Sequence, residues 1–93
     1  MPQLPPDVLA YRRTDTFTEE TLPAALRRSH STKAGVWGVI HVLKGRLVYR
    51  ICDPRRPARE AVLEPGAPSV VEPTVLHEVE PLGPVRFFLE FHR

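Results

Sequence analysis

Several features are scarce or missing in this 93-residue chain, and each absence narrows what it can be. A single cysteine, Cys52, rules out an internal disulfide, so nothing covalent staples the fold. That thiol is expected to pack as a small apolar group and not to serve as a nucleophile. No apolar run approaches the ~20 residues that a membrane-spanning helix needs. The opening MPQLPPD has neither the basic start nor the apolar stretch of a signal peptide, so a cytoplasmic location with no membrane contact is the default. Lysine is almost absent: Lys33 and Lys44 are two of thirteen basic residues. The arginines are scattered in pairs among acidic residues, without the concentrated basic face that nucleic-acid binding requires. They suit solvated loops and sheet edges, where charge discourages edge-to-edge aggregation. There is also no glycine-rich phosphate loop of the dinucleotide type.

Proline, by contrast, is abundant, with eleven residues, and it works against long helices and for short strands joined by rigid turns. Residues 1–7 read as an extended Pro-rich arm, followed by a short strand over 8–13. Thr16 and Glu19 have capping-box spacing, but Pro23 limits any helix there to a turn; residues 24–29 then read as extended. Residues 36–43 (VWGVIHVL) form the most strand-like run. Lys44-Gly45 closes a hairpin onto a strand at 46–51, because glycine accepts the positive φ of a tight turn. A polar, proline-broken loop, DPRRPAR, precedes strands at 60–63, 69–72, 77–80 and 85–92. About eight short strands with no helical pattern between them predict one all-β domain, an antiparallel sandwich or small barrel.

Side-chain alternation sorts the faces. Val36, Gly38, Ile40 and Val42 share one side of their strand; Trp37, Val39, His41 and Leu43 share the other. Neither side is polar, so the strand is expected to be covered twice, the outer side by a second copy of the chain in a homodimer. On the closing strand Phe87, Leu89 and Phe91 oppose Phe88, Glu90 and His92. Glu90 there is either solvent-facing or a ligand, since an unpartnered carboxylate is costly to bury. His77 opens a strand just after a proline turn, a placement that fixes an imidazole for ligation or for base chemistry. A structural histidine capping the turn is the alternative. His92, next to the last residue, is expected to be solvated.

The segments HSTKAGVWGVIHVLKG (30–45), VEPTVLHEVEP (71–81) and FFLEFH (87–92) resemble a cupin. The narrower resemblance is to the tellurite-resistance-related family of TehB-type N-terminal domains and YeaR-like proteins. It covers residues 15–92 and implies a jelly roll of two sheets with a cavity between them. The general cupin metal pattern is incomplete: its glutamate falls on Gly38 and its paired histidines on 31–34. His77 matches the later histidine, and His30 matches a histidine of the narrow family. With Glu90 these would make a 2-His-1-carboxylate set for zinc or iron. The resemblance thus implies a small metal-binding cupin that binds or senses a small anion or oxidant under stress. A dioxygenase-like metalloenzyme and a metal-free interaction module are the alternatives. The methyltransferase activity known for TehB is not carried over, because no dinucleotide-type loop is present.

Overall fold

In the computed structural model, which describes residues 3–93, eight strands and one short 3-10 turn build two antiparallel sheets. The strands are β1 (Ala10–Arg13), β2 (Phe17–Thr18), β3 (Trp37–Lys44), β4 (Leu47–Ile51), β5 (Arg59–Leu63), β6 (Ser69–Val71), β7 (His77–Pro81) and β8 (Arg86–His92). The first sheet runs β1-β8-β3-β6, with β2 also on β8; the second runs β5-β4-β7. The protein is therefore all-β and almost free of helix, as the proline spacing and alternation required. No helix among the described residues is long and apolar enough to cross a membrane. Part of the Pro-rich arm, residues 1–2, lies outside the described residues.

The core forms where the two inner faces meet. Ile40, Val42, Val71, Phe87 and Leu89 of the first sheet pack against Leu47, Tyr49, Leu63 and Val79 of the second. Phe87 and Leu47 are fully buried, and at a few kcal/mol per large side chain such residues carry much of the hydrophobic stabilisation. Burial pushes the Tyr49 phenol up to about 12. The β3–β4 hairpin turns at Gly45 with φ +80°, the positive value its glycine was expected to supply. The outer face of β3 is only partly covered: Val39 is buried, Trp37 and His41 are half-buried, and Leu43 is exposed.

Three local expectations fail for identifiable reasons. Residues Ala24–Arg27 are not extended but form the 3-10 turn, because Pro23 presets a turn that Leu26 N closes onto Pro23 O at 3.0 Å. Thr16 and Glu19 do not form a capping box. Thr18 instead uses its hydroxyl to cap the turn, accepting from Glu20 N and Thr21 N, while Glu19 reaches across to accept from Val85 N at 3.1 Å. That amide holds the Glu19 carboxyl below its ordinary range. Cys52 is exposed and not packed as an apolar residue, with its Sγ 3.1 Å from Ser29 Oγ.

Candidate functional site

At one end of the sandwich a cavity of about 460 Å3 opens between the sheets. Its walls come from inward positions of the first sheet: Gly38 on β3, Val71 on β6, Leu89 and Phe91 on β8. One rim is the segment His30–Lys33 ahead of β3. Its sequence K-A-G-V folds back on itself, with Val36 N bonded to Lys33 O at 3.0 Å and Gly35 at φ +79°. Glycine at the third position is what such a turn demands. Thr32 Oγ1 donates to Val36 O at 2.6 Å and locks the same turn. The other rim is β1, where the register slips between Ala10 and Arg12, so that both Tyr11 and Arg12 reach the cavity. Arg93 completes it.

His77, the first residue of β7, and His30 form an isolated antiparallel bridge. Their ring centroids lie 4.1 Å apart, and both rings line the cavity. Each Nδ1 sits 2.9 Å from a backbone carbonyl, Arg28 O for His30 and Val75 O for His77. A carbonyl only accepts, so each Nδ1 carries the proton and donates it. In the neutral ring Nε2 is then left with a lone pair, and no described residue bonds it. Burial pushes the His77 imidazole down to about 4, with the Val75 carbonyl opposing and His30 reinforcing the shift. His77 is accordingly neutral near pH 7.

The expected third ligand is not there. Glu90 lies on the opposite face of β8, where its Oε1 accepts from His92 Nε2 at 2.8 Å and stands 3.6 Å from His41 Nε2. The His92 hydrogen bond is the main cause holding the Glu90 carboxyl below its ordinary range. His92 is thereby buried, not solvated. Among the described residues no three His, Cys, Asp or Glu side chains are grouped to hold a metal. His30, His77 and Glu90 therefore do not make one coordination set. What the sequence reading missed is the charge of the site. Arg12, Lys33 and Arg93 line the cavity, and among the described residues no Asp or Glu side chain does. Its only signal was Lys33 beside the His30 segment; the bulge that turns Arg12 inward leaves no trace in the sequence.

Comparison with known proteins agrees with this architecture. Residues 12–89 match the model of the TehB-like domain. The chain is 32% identical over 79 residues to the probable S-adenosyl-L-methionine-dependent methyltransferase TehB of Haemophilus influenzae, covering 83% of this chain and 28% of that protein. The crystal structure of TehB from Haemophilus influenzae superposes with a TM-score of 0.83 at 30% identity, over 91% of this chain and 31% of that one. A crystal structure of an Escherichia coli K12 protein matches with a TM-score of 0.87 at 24% identity, over 100% of this chain and 97% of that one, and bears on the fold alone. The chain thus spans less than a third of the TehB chains it matches. These relatives correct the functional expectation. They are named for methyl transfer from S-adenosyl-L-methionine, not for metal-dependent sensing, so neither the metal-binding cupin nor zinc or iron as cofactor stands. The exclusion of methyltransferase activity does not stand either.

Proposed function

The chain belongs to the TehB-like domain family, and from that membership we propose that it serves S-adenosyl-L-methionine-dependent methyl transfer by holding a small anionic methyl acceptor in the cavity beside His30 and His77. The observation that carries this reading is the lining itself: three cationic side chains and two imidazoles in a cavity of about 460 Å3, with no Asp or Glu side chain among its described residues. Such a cleft raises the local concentration of small anions.

The donor fits this cavity poorly. S-adenosyl-L-methionine supplies a methyl group on a positively charged sulfonium, which Arg12, Lys33 and Arg93 would repel, and no Asp or Glu among the described lining residues is present for the ribose. An acceptor has the opposite needs. Its negative charge meets the cations at the rim, and an acidic proton on it meets the Nε2 lone pair of a neutral imidazole. His77 is the better candidate to receive that hydrogen bond, since burial keeps it uncharged at neutral pH. Val71, Leu89 and Phe91 give the same space an apolar wall, and lower local polarity strengthens each polar contact made against it.

The strand order also supports reading the sandwich as a jelly roll: β3 pairs with β8 and β6, and β4 with β5 and β7, all antiparallel. The metal that a cupin holds between its sheets forms no part of this proposal.

The test is an amide NMR titration of the whole chain with the oxyanion tellurite, followed by the same titration on Lys33→Ala and His77→Ala. Saturable shifts at Thr32, Lys33, Gly38 and His77 that weaken in both variants are expected. Shifts spread over the exposed arginines, or unaltered in the variants, would remove the cavity from consideration.

A further inference from the structure

The turn that delivers His77 is tied down by a residue outside the cavity. Asp53 follows β4, and its carboxylate has no exposed surface. Oδ1 accepts from the Arg55 amide and from Arg55 Nε, each at 2.9 Å; Oδ2 accepts from Arg55 Nη2 at 2.6 Å and from the Leu76 amide at 3.1 Å. The same Arg55 Nη2 donates to Thr74 O at 2.8 Å, and Cys52 N donates to Leu76 O at 3.0 Å. On its other side the turn is held by Thr74 N, bonded to Thr32 O at 3.1 Å.

These bonds surround a backbone that would not hold its shape unaided. Thr74 has φ +65°, a left-handed conformation that a β-branched residue adopts only under constraint from its neighbours. Directly after it, Val75 O receives the His77 Nδ1 proton. The orientation of that carbonyl decides which ring nitrogen of His77 carries hydrogen. Thr74 and Leu76, the residues on either side of Val75, are the two that the Asp53–Arg55 pair grips.

We infer that Asp53 and Arg55 are positioning residues for His77: their clasp on the 74–76 backbone fixes the direction of the imidazole and its Nδ1–H tautomer. Arg55 Nη2 and Leu76 N both converge on Asp53 Oδ2, so the carboxylate is the junction of the clasp. Its functional meaning rests on the acceptor-site reading above. The clasp itself is tested without any ligand, so the two ideas fail separately.

The experiment uses the full chain labelled with 15N at histidine, as wild type, Asp53→Asn and Arg55→Ala. Long-range nitrogen–proton spectra report the tautomer of His77, and a pH series reports its titration. In Asp53→Asn the amide nitrogen cannot accept: in the place of Oδ2 it unpairs Arg55 Nη2 and the Leu76 amide together, and in the place of Oδ1 it unpairs the Arg55 amide and Nε. The Nδ1–H tautomer should then lose its dominance. The His77 midpoint should climb from about 4 toward the ordinary histidine range by at least about one pH unit. At a fixed pH the ring signals of His41 and His92, on the opposite face of the first sheet, should keep their wild-type positions. A His77 that keeps its tautomer and midpoint while the Leu76 amide exchanges faster would overturn the inference, since the clasp would be open and the ring unmoved. Should Asp53→Asn not fold, or should its Leu76 amide stay as protected as in wild type, Arg55→Ala decides alone. It leaves both backbone amides on Asp53 and removes only the guanidinium, and an unchanged His77 there overturns the inference equally. Tellurite added to the folded variant should bind at least about tenfold more weakly than to wild type. If wild type does not bind it, the acceptor reading fails while the spectra still judge the clasp.

Discussion

His30 and His77 exchange both main-chain hydrogen bonds, His30 N to His77 O at 3.0 Å and His77 N to His30 O at 2.9 Å, with their rings edge to face at 4.1 Å. The bridge ties the segment that feeds β3 in one sheet to the first residue of β7 in the other. Both imidazoles are thereby held by main chain and not by side-chain packing alone. The pair stands where the two sheets open onto the cavity of about 460 Å3.

Acid should destabilise the protein through His77. Its native value of about 4 lies below the 6.5 of an ordinary histidine, so between those values the unfolded chain binds a proton that the native one does not. Stability is then fully present above about pH 6.5 and is lost as pH falls toward 4, by up to about 3 kcal/mol. Carboxylates titrate over part of the same range. The comparison is therefore urea unfolding of wild type and His77→Gln at several pH values. The variant should show a flatter dependence between pH 4 and 6.5, and parallel curves would show that His77 is not protonated on unfolding.

Gly45 should tolerate no side chain. It sits at φ +80° in the β3–β4 hairpin, and a Cβ there would lie 2.1 Å from the Pro84 carbonyl oxygen. Gly45→Ala should cost about 2 kcal/mol or more, since strain in the left-handed region adds to a main-chain clash. Gly66, also at positive φ but with open space around it, is the control, and Gly66→Ala should cost distinctly less. Thermal unfolding of the two variants orders them, and equal losses would place the cost in φ alone.

Phe87→Ala should be among the most damaging single truncations. The ring is fully buried in the core cluster and meets Phe17 edge to face at 5.7 Å. A loss of about 3–5 kcal/mol is expected by denaturant titration. Given a total stability of only about 5–15 kcal/mol for a typical domain, the variant should be poorly folded at physiological temperature. A loss under about 1 kcal/mol would mean that the two sheets pack differently.

The strands and their faces were legible in the sequence because alternation, proline and the Lys44-Gly45 turn all report locally. Trp37–Lys44 and Arg86–His92 lie within a residue of the expected spans. The 3-10 turn at Ala24–Arg27 was not legible, since AALR fits an extended segment as well as a turn until Pro23 O finds its amide. The site divides the same way. His77 and His30 could be named singly, but their bridge is a long-range contact. Glu90 was assigned to the cavity although alternation already set it opposite Phe87 and Leu89 and beside His92; its second neighbour, His41, becomes visible only with the β3–β8 register. Asp53 sits in a loop that reads as solvated, and only its spacing from Arg55, that of an Asx-turn, hinted at its role.

Gly38 should set the size of the ligand. Its inward position lies on the cavity wall, and a Cβ built there would meet Val71 Cβ at 3.3 Å, close enough that Val71 must yield by a few tenths of an ångström. Gly38→Ala should therefore change stability little, the stiffer unfolded chain offsetting the crowding. Gly38→Val adds two further methyl groups, which must either overpack Val71, at about 1–3 kcal/mol, or occupy the cavity. The cavity is the softer direction, so Gly38→Val should lower tellurite affinity at least about tenfold, with Gly38→Ala intermediate. Glu90→Gln, on the opposite face of β8, should leave the affinity unchanged. Calorimetric titration of the three variants tests the order. Should Glu90→Gln weaken binding more than Gly38→Val, the ligand sits on the outer face with His41 and His92, and the cavity between the sheets is not the site.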